Sequence, residues 1–205
     1  FYNDGSIPTT AATADVIITG ETTSNLFGAS LSSGDFNTDG KTDLAVGAYG
    51  YSTNTGRAYL FYNDGSIPTT AATADVIIQG ETTSNLFGAS LSSGDFNADG
   101  KTDLAVGSYG YSTDTGRAYL FYNDGSIPTT AATADVIITG SGGSTFGSAL
   151  TSGDFNADGR TDLAVGAPVS SVVSSYLFYN DGSIPTTAAT ATAMNGITAG
   201  AVTKA

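Results

Sequence analysis

The sequence predicts an all-β fold built from repeats of four short antiparallel strands. The segment FYNDGSIPTTAAT begins at Phe1, Phe61, Phe121 and Phe178, so the chain repeats itself at spacings of 60, 60 and 57 residues. Self-similarity at a nearly fixed period is typical of repeat architectures. Gly, Ser, Thr, Asn and Asp are abundant, whereas the helix builders Lys, Glu and Leu are scarce. This composition favours strands and tight turns over helices.

Each repeat contains four segments with strand character. In the first repeat they are the alternating Phe27–Ser33, the apolar Asp43–Ala48, the aromatic Arg57–Tyr62 and the β-branched Asp75–Ile78. Clusters of Gly, Asn, Asp and Ser separate these segments, as expected of turns. Four antiparallel strands are the content of one β-propeller blade, so each repeat predicts a blade.

Two short motifs recur in every repeat. A Phe-Gly pair stands at Phe27, Phe87 and Phe146, and a Gly-Ala-Pro triplet is complete at Gly166. The first two repeats carry Gly-Ala-Tyr and Gly-Ser-Tyr in place of that triplet, a change that alters a turn and leaves the strand order intact. With these motifs the chain resembles the FG-GAP repeat family, whose members include the propeller of integrin α subunits and bacterial surface proteins. The resemblance implies propeller blades that carry calcium loops.

The repeat boundaries predict how the chain divides. We expect blades at residues 26–85, 86–144 and 145–190, preceded by the outer strand of another blade and a linker at 1–25. Residues 191–205 are a degenerate segment that leaves the pattern. Propellers ordinarily close with four to eight blades, and three cannot close. We therefore expect a partial propeller or part of an assembly, in which the chain self-associates or belongs to a longer chain.

A nine-residue motif, D-F-N-x-D-G-[KR]-T-D, provides the candidate metal ligands. Oxygen-bearing residues at alternate positions of a curled loop converge, and Ca²⁺ takes six to eight such oxygens. The candidate ligands are the side chains at positions 1, 3, 5 and 9 and the backbone carbonyl at position 7: Asp35, Asn37, Asp39, Lys41 and Asp43; Asp95, Asn97, Asp99, Lys101 and Asp103; Asp154, Asn156, Asp158, Arg160 and Asp162.

The same motif could simply form a turn, because Asp, Asn and Gly are common turn residues. A turn needs no further acid at a fixed offset, however, and carboxylates crowded together without a counter-ion repel one another. Three copies of the motif therefore predict three Ca²⁺ sites. Mg²⁺ fits less well, because it prefers few carboxylates and keeps its waters.

Charge and composition argue against several functions. The formal net charge is -13, which disfavours nucleic acid and anionic membrane surfaces as partners. The chain has no His and no Cys, and no nucleophile stands beside a base, so we predict no catalytic residue and no enzyme. No apolar stretch approaches the ~18 residues of a membrane-spanning helix.

Two further sets of residues admit two interpretations each. The pairs Tyr49/Tyr51 and Tyr109/Tyr111 could stack on a sugar ring, or they could cover a neighbouring blade, which we favour. Arg57 and Arg117 could contact an acidic ligand, but we expect them to pair with a nearby Asp or Glu.

The resemblance implies an extracellular or cell-surface adhesion or protein-binding module. Its protein or carbohydrate ligand would then lie on the face opposite the calcium loops. Two alternatives remain open at this point: a purely structural or fibre-forming repeat, and a sugar-binding lectin-like propeller.

Overall fold

The computed structural model describes residues 10–168, 173–186 and 192–195, which form three four-stranded antiparallel sheets. The first sheet contains β1 (Ser30–Gly34), β2 (Asp43–Ala48), β3 (Arg57–Phe61) and β4 (Val76–Gln79). The second contains β5 (Ser90–Gly94), β6 (Asp103–Ser108), β7 (Arg117–Phe121) and β8 (Val136–Thr139). The third contains β9 (Ala149–Gly153), β10 (Asp162–Pro168), β11 (Val173–Phe178) and β12 (Thr192–Asn195). In each sheet the strands follow chain order, which confirms the prediction of antiparallel four-stranded blades.

Helical structure is limited to single turns in the described part of the chain. Short α-helical turns lie at Tyr51–Asn54 and Tyr111–Asp114, and 3₁₀ turns at Ala11–Thr13, Ala71–Thr73 and Ala131–Thr133. None of these helical segments has the length or apolar character needed to span a membrane.

The first strand of each blade begins later than the sequence suggests. We expected a strand over Phe27–Ser33, but β1 begins at Ser30. The cause is local, because Leu26 and Gly28 adopt positive φ values of 55° and 87°, which interrupt an extended backbone. The Phe27 ring instead packs edge-on against Tyr59, with ring centroids 5.5 Å apart.

The two ends of the chain differ in how they complete a sheet. We expected the third blade to end at residue 190, but its fourth strand is Thr192–Asn195, within the segment expected to lie outside the repeats. At the other end, Asp15–Ile18 is not part of a strand in the described structure. It leads into Thr19, which forms a parallel bridge with Thr70.

The apolar core lies between successive sheets. One cluster joins Phe36 and Leu60 of the first sheet to Leu91, Val106 and Phe121 of the second. An equivalent cluster joins the second sheet to the third. Each blade is thus stabilised by the side chains of its neighbour.

The up-and-down strand order separates two kinds of loop. We call the side that carries the β1–β2, β5–β6 and β9–β10 loops, at 35–42, 95–102 and 154–161, the acidic edge. The opposite side carries the turns at 49–56 and 109–116 and the linkers at 80–89 and 140–148, and we call it the hairpin edge.

Candidate metal sites

The first acidic loop curls around its own backbone amides. The Asp39 amide nitrogen donates to Asp35 Oδ1 and to Asn37 Oδ1, each at 3.0 Å. The Gly40 amide donates to Asp35 Oδ2 at 2.8 Å, and the Lys41 amide donates to Asp39 Oδ1 at 2.9 Å. The side chains at positions 1 and 3 therefore converge on the backbone amide of position 5.

The other two loops repeat this geometry. The Asp99 amide lies 3.0 Å from Asp95 Oδ1 and 3.0 Å from Asn97 Oδ1. The Asp158 amide has the same two distances to Asp154 Oδ1 and Asn156 Oδ1. In all three loops the side chains of positions 1 and 3 thus converge on the backbone amide of position 5.

The ninth position lies at the buried base of each loop. Asp43 accepts hydrogen bonds from the Phe36 amide and the Asn63 amide, both at 2.8 Å, and Asp103 and Asp162 accept from the equivalent amides. These carboxylates tie the start of the loop to the segment after the third strand. In this structure they therefore position the loop.

Charge at the base of the second loop is unfavourable. Burial raises the pKa of Asp103 to about 6, although the Asn123 and Phe96 amides lower it, and the charges of Asp99 and Asp95 raise it further. A cation beside these groups would favour the ionised carboxylate, because opposite charge stabilises it.

The seventh position differs between the loops. Lys41 Nζ lies 3.1 Å from Asp39 Oδ2, and Lys101 Nζ lies 3.7 Å from Asp99 Oδ2, both at exposed positions. The Lys41 backbone amide is the main cause that lowers the pKa of Asp39. Arg160 turns away and donates from Nη1 to the Asn180 carbonyl at 3.2 Å.

The loops match a hard cation in donor type, because carboxylate and amide oxygens are the donors that Ca²⁺ prefers. Over the described residues, no group of three or more acidic side chains is gathered tightly enough to hold an ion. The three calcium sites therefore stay a prediction.

The Asn of the N-D-G segments has a role that the sequence did not reveal. Asn123 Nδ2 donates to the Phe36 carbonyl at 2.9 Å, and Asn180 Nδ2 donates to the Phe96 carbonyl at 2.9 Å. The two asparagines are buried. We predicted only turn chemistry here, because a turn motif carries no sign of a partner in another repeat.

The two arginines pair with acids, as we expected. Arg57 Nη1 lies 2.8 Å from Glu21 Oε1, and the guanidinium stacks 3.7 Å from the centroid of the Tyr51 ring. Arg117 forms the equivalent pair with Glu81. Tyr51 thus covers an arginine of its own blade.

A polar cavity lies at the hairpin edge of the second sheet. It is an open depression of about 370 Å³, lined by the linker 81–85 and the turn 110–113. Asn85 is one of the lining residues, and its buried Nδ2 has no hydrogen-bond partner in the described structure. This cavity faces away from the acidic loops.

Fold and loops together define a β-propeller-type repeat protein. The sequence pattern of the FG-GAP repeat matches residues 27–61, 87–121 and 146–184, which cover just over half of the chain. The chain therefore belongs to the FG-GAP repeat family.

Several named proteins are similar to this chain. Bovine phosphatidylinositol-glycan-specific phospholipase D is 33% identical over 154 residues, which are 69% of this chain and 18% of that protein. Integrin alpha-PS5 of Drosophila melanogaster is 37% identical over 148 residues, 69% of this chain and 14% of that protein. Mouse integrin alpha-IIb is 33% identical over 171 residues, 77% of this chain and 16% of that protein. The chain thus spans less than a fifth of the length of each of these relatives.

Proposed function

We propose that this chain is an adhesion or protein-binding module whose propeller blades are stabilised by calcium. The observation that carries the proposal is the threefold recurrence of one loop, in which the side chains at positions 1 and 3 accept hydrogen bonds from the backbone amide of position 5. Membership of the FG-GAP family and similarity to integrin alpha chains support the adhesive role. They also support an extracellular or cell-surface location.

Calcium would act on stability through the acidic loops. When bound, the ion supplies positive charge that offsets the repulsion among the carboxylates of one loop. Asp35, Asn37 and Asp39 would hold it, with the carbonyl of Lys41, while the buried Asp43 positions the loop from below. A ligand that binds only the native state raises the free energy of unfolding with its concentration.

The ligand would bind at the hairpin edge. The cavity there is lined by hydroxyl and amide side chains, and its one carboxylate, Glu81, is already paired with Arg117. Such a lining suits a neutral polar group, either a peptide segment or a sugar. We favour a protein ligand because of the integrin relatives.

Two other functions compete with this proposal. Repeats 1–60 and 61–120 are nearly identical, which suits a purely structural array. A sugar ligand in the cavity would instead make the chain a lectin. The similarity to phospholipase D does not lead us to propose catalysis, because it covers only 18% of that enzyme and falls in the FG-GAP region.

Thermal melting tests the calcium part of the proposal. We expect the melting temperature to fall on addition of a chelator and to recover with calcium but not with sodium. Melting curves that change with neither chelator nor calcium would contradict the calcium part of the proposal.

Binding assays separate the three functions. The chain is applied to an array of extracellular proteins and to a glycan array, beside Thr83→Arg at the hairpin edge and Thr38→Arg at the acidic edge. Both threonines are exposed. Protein binding that only Thr83→Arg abolishes supports the proposal, glycan binding with that pattern supports the lectin, and no binding to either array supports the structural repeat.

A further inference from the structure

Asp-Gly pairs occur in two settings in each of the three blades. One pair lies at positions 5 and 6 of the acidic loop, and the other lies in the N-D-G turn that follows the third strand. The loop pairs begin at Asp39, Asp99 and Asp158, and the turn pairs begin at Asp64, Asp124 and Asp181. Both settings contain the same dipeptide, so a difference in their chemistry has to come from the structure around them.

An Asp-Gly pair can rearrange without a catalyst. The glycine nitrogen attacks Cγ of the protonated aspartate carboxyl, an N–Cγ bond forms, and one carboxyl oxygen leaves as water with the carboxyl proton and the amide proton. Water then adds to the main-chain carbonyl carbon of the five-membered succinimide and breaks its bond to the nitrogen. The product is isoaspartate, in which the backbone runs through Cγ and the main-chain carboxylate becomes the side group. Glycine favours this ring closure because it has no Cβ to obstruct the attack.

In the acidic loops both reacting groups are held by hydrogen bonds. The Gly40 amide donates to Asp35 Oδ2 at 2.8 Å, while Asp39 Oδ1 accepts from the Lys41 amide at 2.9 Å. The second and third loops contain the same two bonds, each at 2.9 Å. Ring closure has to break both bonds, because the nitrogen gives up its proton and the carboxyl turns toward that nitrogen. The folded loops therefore protect their Asp-Gly pairs.

In the first two N-D-G turns both reacting groups are free. Asp64 and Gly65 are exposed, as are Asp124 and Gly125. Within the described residues, no hydrogen bond or ion pair engages the aspartate carboxylates or the glycine amides of these two turns. A Cβ added to either glycine would meet nothing within 4 Å, at φ values of +127° and +128°. The surroundings of these two turns therefore leave room for ring closure.

The third N-D-G turn is an intermediate case. Asp181 and Gly182 are exposed, but the Gly182 amide donates to Asn180 Oδ1 at 3.3 Å. Ring closure has to break one bond in this turn, whereas it has to break two in an acidic loop.

We infer that Asp64 and Asp124 are sites of spontaneous conversion to isoaspartate in the folded chain, whereas the Asp-Gly pairs of the acidic loops resist it. One hydrogen bond of ordinary strength slows the reaction by about 5-fold, and two slow it by about 30-fold. The rates therefore rank with Asp64 and Asp124 fastest, Asp181 slower and the three loop pairs slowest.

Conversion at Asp124 disturbs a junction between two sheets. The preceding residue, Asn123, donates through its amide to Asp103 Oδ1 at 2.8 Å and through Nδ2 to the Phe36 carbonyl at 2.9 Å. On the other side of the turn, Ile127 is 7% exposed in the apolar cluster that the first two sheets share. Isoaspartate adds one backbone carbon between these two anchored residues. At least one anchor has to shift, so conversion lowers the stability of the fold.

Incubation in heavy-oxygen water locates the reaction. The folded chain is kept in mildly acidic, calcium-containing buffer, because opening of the succinimide inserts one heavy oxygen at each converted site. Trypsin cuts after Lys and Arg, so residues 58–101 form one peptide that contains both Asp64 and Asp99, and residues 118–160 form one that contains both Asp124 and Asp158. Each peptide thus carries its own control. Tandem mass spectrometry should find heavy oxygen and isoaspartate mainly at Asp64 and Asp124.

The same chain in concentrated urea is the control for local sequence. Urea removes the hydrogen bonds of the loops, so the loop pairs and the turn pairs should react at similar rates there. Equal rates at Asp64 and Asp99 in the folded chain overturn the inference. Turn pairs that stay unreacted in the folded chain, while the urea sample reacts, overturn it as well.

A charge-preserving variant tests the effect on stability. Asp64→Glu combined with Asp124→Glu keeps both carboxylates but needs a six-membered ring, which closes far more slowly. Both side chains are exposed, so the fresh variant should melt like the fresh unaltered chain. After incubation the melting temperature of the unaltered chain should fall, and that of the variant should fall less. An incubated chain that carries isoaspartate at Asp124 and still melts like fresh protein overturns the strain assigned to this turn.

Discussion

Replacing Asn123 with alanine should destabilise the fold, because it removes the hydrogen-bond donor of a carbonyl in a different blade. Asn123 Nδ2 donates to the Phe36 carbonyl at 2.9 Å, and the side chain is 6% exposed. Asn123→Ala leaves this buried carbonyl without a donor, which costs about 1–3 kcal/mol of unfolding free energy. For a chain of this size each kcal/mol lowers the melting temperature by about 2–4 °C. A loss near the middle of that range, ~2 kcal/mol, gives a fall of about 4–8 °C.

The repeat supplies a matched control for this prediction. Asn63 lies in the same local sequence, but among the described residues no acceptor in another sheet is found for its side chain. Asn63→Ala should change the unfolding free energy by less than ~0.5 kcal/mol. Both variants are melted in saturating calcium by differential scanning calorimetry. Equal shifts for the two variants would refute the role assigned to the inter-blade bond.

Two further predictions concern close packing and the buried ion pair. Gly116→Ala should cost several kcal/mol of unfolding free energy or prevent folding, because a Cβ at this φ of +77° would collide with the Phe146 backbone. Gly40→Ala has open space at a φ of +83° and should cost only about 1 kcal/mol. Similar denaturant midpoints for the two variants would contradict this prediction. A double-mutant cycle with Arg117→Met and Glu81→Gln should show a coupling free energy of about 1 kcal/mol, because both side chains are mostly buried and Arg117 Nη1 lies 2.9 Å from Glu81 Oε1. Additive effects of the two substitutions would indicate that the pair contributes nothing to stability.

The strands could be predicted because each is short and locally encoded. The apolar run Asp43–Ala48 matched β2 at both ends. The start of β1 could not be predicted, because the positive φ at Leu26 is an unfavourable choice for that residue type. The strand at Thr192–Asn195 was missed for another reason. Its sequence has lost the β-branched pattern, and pairing with β11 places it in the sheet.

The candidate sites also combine features that the local sequence predicts with features that it does not. The convergence of the Asp35 and Asn37 side chains on the Asp39 amide follows from their alternate spacing in a curled loop, which is a local feature of the sequence. The hydrogen bonds that Asp43 accepts from the Phe36 and Asn63 amides could not be predicted from the sequence, because one donor, Asn63, lies 20 residues away. The hydrogen bond from Asn123 to the Phe36 carbonyl spans 87 residues, and no local sequence pattern predicts it. Contacts between repeats are set by how the sheets stack.

Counting the bound ions tests the central claim most directly. Equilibrium dialysis against radioactive calcium, at concentrations that bracket the order of 10⁻⁴ M, should give three ions per chain. Asp39→Ala, Asp99→Ala and Asp158→Ala should each remove one ion, and the triple variant should bind none. A folded chain that binds no calcium, or that keeps its full count in the triple variant, would contradict the account.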